Sequence, residues 1–181
     1  MTTAIVPAGC HGGNFALAQR LLSSPFYFGQ LLSRSRFSRR LNRIKDHLLT
    51  LISLLGLFWQ EQNEKQIYIV ASFPIPVCDN YRIGRCRIYQ EEPYRGYQAS
   101  KKRYFYGLKL HLMVTVAGQP VQFFLPPSSF SDTGEMPWFD FDLADEAIVL
   151  GDKAYNIYWL EDILEDVNIH LWPIRKKNNT L

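Results

Sequence analysis

Cysteine is scarce in this chain: 181 residues hold three, Cys10, Cys78 and Cys86, with no C-x-x-C pair. An odd count without paired spacing argues against a disulfide framework and a structural zinc site, and fits a reducing cytoplasm. A leader is not read either, because the first ten residues are apolar but lack a basic start and a long apolar stretch. The apolar run Leu48–Trp59, "LLTLISLLGLFW", is too short to span a bilayer and predicts a buried helix instead. No internal repeat or low-complexity segment is visible. The length suits one domain with a substantial core and a small helical appendage.

Charge is missing locally rather than overall. Net charge is a mild +3, yet seven basic residues lie between Arg20 and Lys45 with no acidic one until Asp46. Between Arg82 and Lys109, eight basic residues meet only Glu91 and Glu92. From Asp132 to Asp166 the balance inverts, with eleven acidic side chains and Lys153 alone. Basic flanks around an acidic centre suit a chain that holds a polyanion and gathers carboxylates where a cation is needed. Three solvated faces of unlike charge would read the same way.

Periodicity divides the chain near residue 62. Asn14 is placed to cap a helix running to Leu22, which Ser23-Ser24-Pro25 ends. Phe37, Leu41, Ile44, Leu48 and Ile52 then form one apolar stripe at helical spacing. Arg36, Arg39, Arg40 and Arg43 occupy the other faces. Gln60–Gln66 reads as a polar linker, giving a helical region over 1–62 and a second region over 63–181. The second region opens with a strand over Ile67–Phe73 that two prolines stop. A polar, Tyr-rich excursion follows over Cys78–Lys102. A strand over Tyr104–Val116 turns at Ala117-Gly118-Gln119-Pro120 into a return strand over Val121–Leu125. A short helix between Gly134 and Leu143 precedes a strand over Ala147–Leu150. A helix over Tyr155–Asp166 and a strand over Asn168–Ile174 complete an α/β order with a mixed sheet.

The segment "AIVLGDKAYN" delivers Asp152 to the carboxyl edge of the sheet, where ligands of open α/β sheets collect. Asp152 could equally cap the following helix. Phosphoryl transfer with two divalent ions about 3.5–4 Å apart needs more than one carboxylate. The neighbouring strand offers Ala71 at the matching place. His47 and His170 read as ordinary surface or core histidines, and Cys78 as a small buried apolar side chain.

In order, "VASFPIPVC", "YGLKLHLMVT", "PSSFSDTGE" and "LGDKAYN" resemble the DDE transposases of bacterial insertion sequences. The resemblance spans roughly residues 12 to 177, with "GGNF" and "SRSRFSRRLNRI" matching the helical lead-in. It implies a ribonuclease H-like fold and three carboxylates that bind two Mg²⁺ (or Mn²⁺) ions for DNA strand cleavage and transfer. Asp152 matches the second catalytic aspartate, with Ala154 where glycine is usual. Ala71 stands at the first aspartate's position. The third acid, a glutamate, would lie beyond "RKKNNTL". Asp132 matches a recurring acidic position with a supporting role. Lys109 and His111 share a face that the resemblance turns toward the pocket and DNA, though they also read as outer-face polar positions.

DNA is the implied partner, specifically insertion-sequence ends. Phosphate contacts are expected from Arg34, Arg36, Arg39, Arg40 and Arg43. Arg82, Arg85, Arg87, Arg95, Lys101, Lys102 and Arg103 are expected to contact it from the excursion, with Tyr81, Tyr89, Tyr94 and Tyr97 interleaved. The expectation is an inactive transposase-derived chain at the bacterial nucleoid, with no membrane association. Two alternatives stand beside it. One is a DNA-binding regulator, self-associating or acting as a dominant-negative partner of an intact transposase. The other is an unrelated α/β domain in which Asp152 only caps its helix.

Overall fold

The structure, a computed structural model, describes residues 16–17, 20 and 32–175. The chain divides into two compact units, Met1–Ile52 and Ser53–Leu181. The expected helix over Asn14–Leu22 falls largely outside the described residues, as do the "GGNF" lead-in and everything after Arg175.

In the first unit, α1 spans Arg34–Arg43 and α2 begins at Lys45. Phe37 is buried, while Arg34, Arg36, Arg39, Arg40 and Arg43 are exposed. Arg40 and Arg43 occupy the last turn of α1, where the helix dipole favours cations. The division between units falls inside α2, which runs to Glu61, and not in the polar stretch after it. A helix forms over Leu48–Trp59 as expected, but it is not buried. Leu54, Leu55, Leu57 and Phe58 are exposed, and Gly56 is the buried position of α2. Gly56 lies against the sheet so closely that an added Cβ would sit 2.0 Å from the Val121 carbonyl oxygen. Among the described residues, no helix is long and apolar enough to cross a membrane.

The second unit is built on six strands: β1 (Ile67–Asp79), β2 (Arg95–Gln98), β3 (Arg103–Thr115), β4 (Pro120–Phe124), β5 (Ala147–Gly151) and β6 (Ile169–Pro173). The spatial order is β2-β3-β1-β5-β6, and β4 joins β3 beyond β2. β1 pairs antiparallel with β3 and parallel with β5, and β6 extends the parallel side. The hairpin joining β3 and β4 turns at Gly118, whose φ of 80° suits glycine. Three parallel strands, β1, β5 and β6, beside the antiparallel β3–β4 hairpin make the expected mixed α/β sheet.

β1 departs from its predicted length. It does not stop at the prolines but runs through Pro74 and Pro76 to Asp79. The ladder to β5 ends at Val70 opposite Gly151, so beyond this point β1 pairs on one side alone. A residue without an N–H is tolerated on such an edge. The excursion holds 3-10 turns over Asn80–Arg85, Glu92–Tyr94 and Ala99–Lys101, and also the short strand β2.

α3 (Asp132–Glu135) and α4 (Tyr158–Glu165) bring one side of the sheet its cover. Tyr68, Val70, Met113, Val121, Val149 and Leu171 point from the strands into a core with Met136, Phe139, Tyr155, Ile157, Leu160 and Leu164. Leu160 and Leu164 meet it four residues apart, one helical turn. The predicted helix over Tyr155–Asp166 starts later, because Lys153–Tyr155 forms a separate 3-10 turn.

Candidate functional site

The carboxyl end of β5, and the point on β1 where its ladder to β5 stops, are the natural starting point. Val70 pairs with Gly151, the last pair of this ladder, so Ala71 is the next residue of β1 and Asp152 the first residue past β5. Both are exposed. Asp152 precedes the 3-10 turn at Lys153–Tyr155, yet its side chain makes no capping hydrogen bond. Helix α4 begins six residues on, with Ile157 at its N-cap. The capping reading of Asp152 is therefore overturned. One residue past the last ladder pair, β5 leads to a carboxylate and β1 carries a methyl group.

Strand alternation separates Ala71 from its neighbour Ser72. Ala71 lies opposite Leu112, while Ser72 lies opposite His111 on the core side. There Ser72 donates from Oγ to Oδ1 of Asp132 at 2.6 Å. Lys109 Nζ stands 3.4 Å from the same oxygen and donates to the Phe130 carbonyl at 2.7 Å. Asp132, Lys109 and Ser72 thus tie α3 to β1 and β3. His111 Nε2 approaches Asp132 to 3.8 Å, beyond hydrogen-bond length.

His111 has no exposed surface and stacks on Phe124 with ring centroids 4.7 Å apart and planes 8° off parallel. Neither ring nitrogen has a hydrogen-bond partner among the described residues. Burial lowers its pKa to about 4, with Asp132 pulling upward and Lys109 pushing downward. Lys109 and His111 do share a face, but it is the core-side face, turned away from Ala71. The outer-face position expected for them is corrected by this burial.

Sequence reasoning gave no role to Ser72, Glu135 or Tyr155, although all three sit inside the quoted motifs. Burial raises the Glu135 carboxyl, and one of its oxygens is buried without a partner among the described residues. Tyr155 is raised chiefly by burial and also feels the charges of Asp132 and Asp152. Cys78 is half-buried, with its thiol 3.5 Å from the Asp79 carbonyl.

Arg82, Arg85, Arg87, Lys101, Lys102 and Arg103 are all exposed on the excursion and the start of β3. Arg103 is paired with Asp79 at 3.1 Å. The other five are in no ion pair among the described residues.

With this geometry in place, the likeness to known proteins is specific. The profile of the family described as Transposase DDE domain matches residues 61–180. The chain therefore belongs to the DDE-domain transposases, and an unrelated α/β domain is excluded. Among solved structures, it is similar to a piggyBac transposase in a synaptic complex with hairpin DNA. That likeness has 14% identity and a TM-score of 0.41. It covers 78% of this chain but only 30% of that one. A search among curated proteins found no match.

DDE domains generally work with divalent metal ions, and the donors among the described residues do not assemble a two-metal centre. Among the described residues, no group of three or more His, Cys, Asp or Glu side chains is placed to hold a metal ion. Ala71 and Asp152 each follow the last pair of the β1–β5 ladder, and Asp132 is engaged by Ser72 and Lys109 on the core side. A methyl group contributes neither charge nor a lone pair to a hard cation.

Proposed function

We propose that this chain is an insertion-sequence transposase derivative that binds DNA ends but does not cut or join them by itself. The observation that carries this reading is Ala71, one step past the Val70–Gly151 pair that Asp152 also follows. Two-ion phosphoryl transfer needs oxygen ligands on both sides of the reacting phosphate. One side of this edge lacks them. The exposed basic residues of α1 and of the excursion support retained affinity for the DNA backbone. Such a chain acts by occupancy, competing with an intact transposase for the same ends in the bacterial nucleoid.

The test uses purified full chain, Mg²⁺ or Mn²⁺, and labelled insertion-end DNA. Binding that weakens steeply with salt and no strand nicking are expected. Ala71→Asp alone is expected to stay inactive, since it supplies only a second carboxylate. Nicking by the unaltered chain that disappears in Asp152→Asn would overturn the proposal, as would salt-independent binding.

A further inference from the structure

The end of the sheet remote from Ala71 carries exposed aromatic rings. Tyr97 on β2 lies directly opposite Tyr104 on β3. Their ring centroids are 5.0 Å apart with planes at 51°. The Arg95 guanidinium sits 4.8 Å from the Tyr104 ring centroid, held by Glu92 at 3.1 Å. A cross-strand aromatic pair stabilises a ribbon by shielding both rings from water. This pair leaves Tyr97 54% and Tyr104 51% exposed. Exposed Lys101 and Lys102 stand in the turn between the two strands, in no ion pair among the described residues.

Alternation along β3 places Tyr104 on the same side of the sheet as Leu112, the partner of Ala71. Eight residues of strand separate them, roughly 27 Å. We infer that Tyr97, Tyr104 and Arg95 form a stacking platform for unpaired bases of a DNA strand that runs along this face to the Ala71–Asp152 edge. Base pairs in a duplex stack on one another and leave only phosphates and groove edges for a flat aromatic pair. An unpaired base offers a free π-face, and rings flanked by cations are the composition that holds single strands. The inference rests on the DNA-binding reading above and narrows it to unpaired nucleotides.

The test compares the full chain with Tyr97→Ala/Tyr104→Ala and Tyr97→Phe/Tyr104→Phe. The probes are a short single strand containing 2-aminopurine and a duplex of equal length. Binding of the single strand is expected to quench the 2-aminopurine. The Ala pair should weaken single-strand affinity at least about fivefold, the low end of what one stacked base contributes. Duplex affinity should change less, and the Phe pair should keep both quenching and affinity. Equal loss on both DNAs, loss in the Phe pair, or absence of quenching would overturn the platform. No affinity for either DNA would overturn the DNA-binding reading with it. Salt-dependent binding indifferent to both substitutions would overturn the platform alone.

Discussion

Acid should weaken the fold through His111. Its imidazole is fully buried beneath Phe124 and titrates at about 4, against an ordinary value of 6.5. The unfolded chain therefore takes up a proton at a pH where the folded chain refuses one. That contribution to stability is complete above pH 6.5 and is lost as pH falls toward 4. That difference is worth about 3 kcal/mol when fully expressed. Between pH 7.5 and 5 the expected loss is about 2 kcal/mol, a large part of the stability of an ordinary domain. Asp132 and Lys109 act on the ring, while Glu135 feels Lys109 and Tyr155 feels Asp132. Glu135, raised by burial, works in the opposite sense: it favours the fold when protonated, at the acid end of the range. Urea titrations at both pH values separate the two when wild type is compared with His111→Phe. The variant keeps a ring against Phe124 and removes both unpartnered nitrogens. It should lose about 2 kcal/mol less than wild type between pH 7.5 and 5. An equal acid loss in the variant, or a His111 Cε1 proton titrating near 6.5 by NMR, would refute the reasoning.

Gly56→Ala should destabilise the chain although alanine favours helix, because its Cβ would meet the Val121 carbonyl at 2.0 Å. A melting temperature at or above wild type would contradict the close packing of α2 on β4. Asp132→Ala leaves Lys109, whose side chain is only 19% exposed, without its counterion and Ser72 without its acceptor. A loss of about 1–3 kcal/mol is expected. In a double-mutant cycle with Ser72→Ala the two losses should be non-additive, and simple additivity would deny the coupling.

Much of the architecture was legible because it is written in local patterns. Alternation marked β3, Gly118 marked the hairpin, and apolar runs ending in Gly-Asp marked β5 to within a residue. β1 was read too short because proline's effect depends on which edge is paired, and pairing is not local. β2 escaped notice because Arg-Gly-Tyr-Gln carries no apolar period, and β3 alone makes it a strand. Leu48–Trp59 was read as buried from hydrophobicity, but burial requires a neighbour that no local pattern reveals.

The candidate site divides in the same way. Residue identity alone decided that position 71 offers a methyl group and position 152 a carboxylate. Backbone register decided that each directly follows the last pair of the β1–β5 ladder. Tertiary structure also turned Lys109 and His111 to the core, joined Ser72 to Asp132 across sixty residues, and left Asp152 without a capping role. A side chain's chemistry belongs to its own residue, whereas its facing and its partners come from strands and helices distant in the chain.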